Sequence, residues 1–289
     1  MRPDLSELNS AVVKTLTYSD IFDHPLRLTE LHRYLTVPAG LEALTESLQQ
    51  NADVETKDGF YFLPGRAALV DVRRQREADS LPAFNRAMKY GRFLGSLPFI
   101  RMTALTGSLA MLNLSKNPDM DFMLVAAHGR VWTARAFAIL FGRIVRLFGD
   151  TICPNLIVSE QALEWPLHDL YSARELNQMI PITGYEVYIR FYSANSWAQT
   201  LLPNSTPRAC AKQKGSNFGE RFLRSRVGNS FEAWEMTRKI GRFSRQPGFG
   251  TETIFTADVC QGNFHHHRKW TDEIYRERLK KWSADLDPR

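Results

Sequence analysis

Cysteine is scarce in this chain. Cys153, Cys210 and Cys260 lie far apart with no CxxC spacing, which argues against a zinc knuckle or a disulfide framework. Long apolar runs are missing as well. The most apolar helical stretch, 131–148, carries Arg135, Arg143 and Arg146, charges that a bilayer core does not accept without partners, so no membrane partner is expected. The opening MRPDLSEL has no charged segment leading into an apolar core, so no signal peptide is expected. These absences lead to the expectation of a reduced, cytoplasmic protein.

What is present is ordinary in amount. The 289 residues, 44% hydrophobic and 24% charged, suffice for one large or two modest domains with a real core. The net charge of +6 suits a polyanionic partner such as a nucleotide or RNA, and a solvated basic surface gives the same count.

Residues 1–66 form a first module. Apolar spacing predicts a helix over 10–19, ended by His24-Pro25, and a second from an N-cap at Thr29 to Tyr34. A third, Leu41 to Gln50, puts Leu41, Leu44 and Leu48 on one face. Two short strands around Asp58-Gly59 then read as a hairpin. Three helices and a hairpin is the order of a winged helix-turn-helix. Its third helix, however, carries Glu42 and Glu46 and no Arg or Lys. Phosphate contacts dominate nucleic-acid affinity, so packing or docking of a protein partner is favoured over reading DNA. A helical basic linker, 67–98, follows with Arg73, Arg74, Arg76, Arg86, Lys89 and Arg92, which are either solvated or share in holding phosphate.

The chain is organised around ALTGSLAMLNLSKNPDMDFMLVAA, Ala104 to Ala127. A strand enters the small-residue turn Thr106-Gly107-Ser108, a short helix follows, and Lys116-Asn117-Pro118 breaks it. A second strand then opens with Asp119 and Asp121. Strand side chains alternate, so these two acids share a face. The apolar run Phe122 to Val125 behind them suits a strand buried on both sides. Two ionised carboxylates at the head of such a strand call for a partner, most economically a divalent cation.

Gly107-Ser108, ten residues, then Asp119-Met120-Asp121 resembles the signature of the DNA polymerase β-type nucleotidyltransferase superfamily. The likeness to bacterial and archaeal nucleotidyltransferase-domain proteins extends over Thr17–Asp23, Gly129–Trp132, Cys153–Asn155, Asp169–Tyr171 and Asn195–Trp197. The resemblance implies that Gly107 and Ser108, with Thr106 and Lys116, cradle a nucleoside triphosphate at a helix start. It implies that Asp119 and Asp121 hold Mg2+ or Mn2+. The chain departs from the pattern at the next strand, Thr151 to Ser159. Polymerase-like members carry a third carboxylate there, and the inward candidate here is Asn155, sharing a face with Cys153 and Ile157. An amide orients a hydroxyl but accepts no proton. Asp150 and Glu160 flank the strand as substitutes.

The remainder reads as helical. Leu170–Met179 is amphipathic, and Tyr188, Phe191, Tyr192 and Trp197 lie at core spacing. Asp169, Arg174 and Glu175 either line a nucleotide pocket or form an exposed ion pair. Residues 208–229 concentrate Arg and Lys among Gly and Ser, as suits a basic loop that gains order on a polyanion. His265-His266-His267 has no matching ligand spacing and reads as surface or cap residues rather than a zinc site.

The expected architecture is α+β: a nucleotidyltransferase-type mixed sheet flanked by helices over 99–165, between the winged helix and a helical C-terminal domain, 166–289. The expected activity is transfer of an NMP from an NTP to a hydroxyl, first an RNA (tRNA-like) end, with Asp119, Asp121 and Asn155 catalytic and Asp119 and Asp121 the metal ligands. A protein or small-molecule acceptor, and a non-catalytic winged-helix adaptor, are the alternatives.

Overall fold

The computed structural model describes residues 4–114, 119–210, 219–250 and 252–283. The N-terminal module opens with α1 (Leu5–Asp20), whose first turn is capped by the Asp4 carboxylate accepting from the Glu7 N–H at 2.7 Å. It continues with β1 (Leu26–Arg27), α2 (Leu28–Tyr34), α3 (Leu41–Gln50), β2 (Glu55–Lys57) and β3 (Phe60–Phe62). The strands form an antiparallel sheet in the order β1-β3-β2. Asp58 and Gly59 at the hairpin tip both take positive φ, 55° and 79°, which matches the twist of the flanking strands. Leu8, Val12, Leu16, Leu31 and Leu44 close a core of their own. Glu42 and Glu46 on α3 are exposed, leaving an acidic outer face.

The long helix α4 (Leu69–Ser96) joins this module to the main sheet. It is more than a solvated linker. Arg73 is buried, with its guanidinium on Glu30 at 2.7 Å and Glu77 at 2.8 Å, and it donates to the Pro25 carbonyl at 2.5 Å. Arg76 donates to the Phe22 carbonyl and Asn113, and Arg86 to Asp150. These three charges are therefore internally partnered. At its far end α4 comes so close to the sheet that a Cβ on Gly91 would lie 2.3 Å from Ile182 Cδ1, and one on Gly95 2.3 Å from Thr183 Oγ1.

The main sheet is built from β4 (Ile100–Leu105), β5 (Asp119–Ala126), β6 (Thr151–Ser159), β7 (Ile180–Thr183), β8 (Thr253–Phe255) and β9 (Val259–Gly262). Its order is β7-β4-β5-β6-β9-β8. Only β5 and β6 run parallel, linked by α6 (Val131–Arg146), as a crossover requires. The short α5 (Gly107–Ala110) links β4 to β5. On one face α4, α6 and α11 (Arg226–Phe243) pack against Phe122, Leu124 and Ile157. On the other, α7 (Leu170–Gln178), α8 (Tyr185–Ala194) and α9 (Ala198–Leu201) cover Met123, Val125 and Val158. Tyr188, Phe191 and Tyr192 lie in that second core, as their spacing predicted.

The architecture is thus mixed α+β, a mixed six-stranded sheet flanked by helices. The C-terminal part departs from the all-helical expectation, because β7, β8 and β9 all join the central sheet. Pro181 in β7 is tolerated because β7 is an edge strand, where a missing N–H costs no ladder bond on the open side. Two further helices complete the chain, α10 (Glu220–Leu223) and α12 (His267–Ser283). Glu220 on α10 receives both Arg101 nitrogens and the Phe99 N–H, each at 2.7 Å. The side chains of α12 return to the N-terminal module, Tyr275 against Tyr18 and Trp270 against Phe22. Among the described residues no helix is long and apolar enough to cross a membrane.

Candidate functional site

The centre of the site is the junction of β4, α5 and β5. The Thr106 N–H donates to the Asp121 carbonyl at 2.9 Å and its hydroxyl to the same oxygen at 3.3 Å, which pins the turn to the strand. Gly107 takes φ +66°, and a Cβ there would lie 2.5 Å from Asp121 Oδ2. Only glycine permits both the backbone angle and this approach. Ser108 is exposed beside it. The helix behind the turn is a single turn of four residues, and Thr106 makes no side-chain cap, so the dipole expected there is short. Lys116 lies outside the described residues.

Met120 and Phe122 face the α4/α6 core and Met123 and Val125 the α7/α8 core. By alternation Asp119 and Asp121 belong to the α7/α8 face. Asp119 is exposed. Asp121 is part-buried, and burial followed by the charge of Asp119 pushes its carboxyl up to about 6, opposed by a hydrogen bond from the Cys153 thiol. Burial and the two carboxylates push that thiol in turn up to about 12. Cys153 is therefore a neutral donor here, with no nucleophilic character.

The register of β6 slips between Pro154 and Leu156, where Phe122 pairs with Pro154 and Met123 with Leu156. A proline cannot complete the ladder, and the chain absorbs one extra residue as a bulge. That residue is Asn155. Consequently Ile157 faces the α6 core, while Cys153 stays with Asp121 on the other face. Asn155, Cys153 and Ile157 do not share one face as the uninterrupted alternation had suggested. Asn155 is exposed and lines a cleft together with Thr106 and Met123, the neighbours of the turn and of the acids, whereas Gly107, Ser108, Asp119 and Asp121 are not part of its lining. Neither substitute acid serves. Asp150 is held by Arg86 at 2.8 Å and the Tyr90 hydroxyl at 2.9 Å, and Glu160 accepts from the His128 N–H at 3.2 Å.

A further carboxylate reaches the site from α7. Glu175 lines the same cleft as Thr106, Met123 and Asn155. Burial and the charge of Asp121 push its carboxyl up to about 7, against a hydrogen bond from Gln178. Glu175 and Arg174 are not an exposed ion pair. Arg174 points the other way, buried between the rings of Tyr18 and Tyr34 with 4.6 Å to each centroid. Of the three residues read as pocket lining or an exposed ion pair, Glu175 alone lines the cleft, and Asp169 and Arg174 do not. The meeting of Glu175 with Asp121 is made by the packing of α7 on β5.

The cleft has a volume of about 330 Å³. Its walls are apolar and aromatic at Trp165, Leu167, Tyr171 and Ile254, and among the described residues the buried Trp165 Nε1 has no hydrogen-bond partner. The far wall is polar. Glu252 accepts from the Arg268 and Lys269 N–H groups and from Asn263, capping the first turn of α12. His267 lines this end. A few fixed polar groups in an otherwise apolar cleft are what a small-molecule site requires.

A resident divalent cation is compatible with the residues present. Among the described residues Asp121 has an acid and a thiol as its electrostatic neighbours and no cation, so positive charge beside it would relieve a real cost. Among the described residues no group of three or more His, Cys, Asp or Glu is gathered for a metal, so such an ion would rest on Asp119 and Asp121 with water or substrate oxygens, as Mg2+ commonly does. Compared with protein-family models, with curated proteins and with solved structures, the chain finds no match. The reading of the site therefore rests on its own geometry.

Proposed function

We propose that this chain is a nucleotidyltransferase that moves a nucleoside monophosphate from an NTP to an acceptor hydroxyl, on a nucleotidyltransferase-type sheet with a winged-helix-like module in front. The observation that carries the reading is the close approach of the Gly107 turn to Asp121, with Asp119 on the same strand face and Glu175 electrostatically coupled to Asp121 from α7.

In this reading Gly107 and Ser108 receive the triphosphate, and the aromatic wall of the cleft takes the nucleoside. Glu175, poised at about 7, accepts the proton of the acceptor hydroxyl. The acceptor oxygen bonds to the α-phosphorus as the bond to the β-phosphate oxygen breaks, and pyrophosphate leaves with that electron pair. Asn155 orients the acceptor from the bulge. Asp119 and Asp121 would hold Mg2+, which supplies charge neutralisation for the triphosphate and the departing pyrophosphate.

The acceptor reading shifts with the structure. The expectation of RNA rests on the basic linker and the basic loop 208–229; in the linker Arg73, Arg76 and Arg86 are internally bonded, α3 is acidic outside, and residues 211–218 of the loop lie outside the described residues. A small hydroxyl-bearing acceptor, sized to the enclosed cleft, now stands ahead of an RNA end. The test is incubation with each α-³²P-labelled NTP and Mg2+ or Mn2+, with a small-metabolite extract, total RNA or the protein alone, beside an Asp119→Ala/Asp121→Ala control. Label on a small molecule that disappears in the control supports the reading. Label on RNA or on the protein reassigns the acceptor. Absence of transfer with nucleotide still bound turns the assignment to a non-catalytic adaptor.

A further inference from the structure

A second cavity, about 470 Å³, lies between the N-terminal module and the main domain. Four arginines and two glutamates line it. The acids are already committed. Arg27 takes both oxygens of Glu77, at 2.6 and 2.7 Å, and Arg73 takes both oxygens of Glu30, at 2.9 and 2.7 Å. Among the described residues Arg33 from α2 and Arg208 from the segment after α9 have no carboxylate partner. Their side chains instead share one acceptor, the Asn177 carbonyl, with Arg33 Nε at 3.2 Å, Arg33 Nη2 at 3.1 Å and Arg208 Nε at 3.4 Å. Arg33 Nη2 also donates to the Thr206 carbonyl at 2.8 Å.

Two guanidinium groups converging on one carbonyl inside a cavity repel each other. Burial and the charge of Arg208 hold Arg33 below its ordinary value. Ten donors on two planar forks, satisfied only in part by neutral carbonyls, are the chemistry that recognises a tetrahedral oxyanion, which can accept from both forks and cancels their repulsion. Neighbouring groups fit. Among the described residues the Tyr34 hydroxyl has only the weak acceptor Met111 Sδ at 3.5 Å, and His32 Nε2 donates to the Ala39 carbonyl at 2.7 Å when it carries the ring proton.

We propose that the cavity around Arg33 and Arg208 is a binding site for the phosphate group of a small phosphorylated ligand. It shares no lining residue with the cleft at Glu175, and the inference does not depend on the nucleotidyltransferase reading. The site takes Arg33 from the N-terminal module, Arg208 from the C-terminal half, and a wall from Ala110, Met111 and Leu112 at the end of α5. A bound phosphate would therefore clip the module to the main domain just behind the Gly107 turn. Arg33 and Arg208 are part-buried within the cavity, which suits a small ligand better than a polynucleotide running across a surface.

The test uses the full chain in EDTA, so that metal-dependent binding at Asp119 and Asp121 is silent. Inorganic phosphate and pyrophosphate are titrated by thermal shift and calorimetry at constant ionic strength, with chloride as the control anion. The expected result is a saturable rise in Tm with either probe, and at least a tenfold loss of affinity in Arg208→Ala, whose side chain among the described residues makes one long contact, to Asn177, and so perturbs the fold least. Arg33→Lys, which keeps the charge and loses the fork, is expected between wild type and Arg33→Ala. No saturable binding, or binding unchanged in both Arg208→Ala and Arg33→Ala, overturns the proposal. So does a short RNA oligonucleotide that binds through Arg33 and Arg208 where neither small probe does, since that assigns the site to a polynucleotide.

Discussion

Gly107 and Asp121 are in such close approach that the smallest side chain would not fit between them: a Cβ on Gly107 would sit 2.5 Å from the carboxylate oxygen. Backbone and acid therefore form one unit. Gly107→Ala is expected to push the Asp121 carboxylate aside. A side chain at φ +66° adds a backbone cost of about 1 kcal/mol. NMP transfer should fall by about 10²-fold or more, as misplacement of a reacting group by an ångström does, while Tm drops by only a few degrees. Single-turnover kinetics beside thermal melts check this, and a variant that keeps full activity removes the close approach from the mechanism.

Asp121 is raised to about 6 by burial and by Asp119. The folded state thus favours its protonated form, so its contribution to stability is greatest below the ordinary value of 3.8 and is lost as pH rises through about 6. At pH 8 the penalty is on the order of 3 kcal/mol. Mg2+ at 100 times its Kd should stabilise the protein by about 2.7 kcal/mol at pH 8 and much less at pH 5, where the proton competes. Asp121→Asn should melt at or above wild type at pH 8 without metal and show no Mg2+ response. A Mg2+ shift that survives in Asp119→Asn/Asp121→Asn would place the ion elsewhere.

Much of the frame was legible because local signals agreed. Gly40 before α3 and Asn51 after it bracket a run with Leu44 on the buried face, and the helix bounds follow. The Thr151–Ser159 strand and the Asp58-Gly59 hairpin were equally plain. The misses are long-range or brief. The four-residue β7 contains a proline, and β8 and β9 are three and four residues long, too short to show a period. Pro154 was the visible sign of the β6 bulge, but only the register tells which residue it displaces. The partnership of Glu175 with Asp121 had no local sign at all, because α7 and β5 meet only through the tertiary fold.

That partnership is testable on its own. Burial and Asp121 push Glu175 up to about 7, so a base on α7 should give kcat an acidic limb near pH 7, with activity rising as Glu175 deprotonates. Glu175→Gln keeps the shape and the Gln178 contact while removing the proton acceptor. It is expected to lower kcat by roughly 10²- to 10⁴-fold, to leave the KM for NTP within a few-fold, and to erase that limb. A uniform rise in KM with the limb intact would make Glu175 a wall residue and no base.

The last prediction concerns the joint between the N-terminal module and α4. His24 is buried, and among the described residues neither ring nitrogen makes a hydrogen bond of good geometry, the Asn113 side chain being a polar neighbour. Burial, then the charge of Arg73, lowers it from 6.5 to about 4, against the opposing pull of Glu30 and Glu77. The unfolded chain therefore binds a proton in the window from 6.5 down to about 4 that the folded chain refuses. The stability this gives is present above 6.5 and is lost as pH falls through that window, by about 2 kcal/mol between 6.5 and 5. Asp121 and Glu175 act in the opposite sense over part of the range, so the informative quantity is the difference between wild type and His24→Gln. Urea melts at half-unit steps from pH 7.5 to 4.5 should show wild type losing stability relative to the variant by that amount. Glu77, which Arg27 and Arg73 hold down at about 2, keeps the surrounding ion pairs intact throughout, so the slope belongs to the histidine. A difference curve that stays flat across the window would mean that His24 accepts its proton in the folded state, and that the joint is open to water.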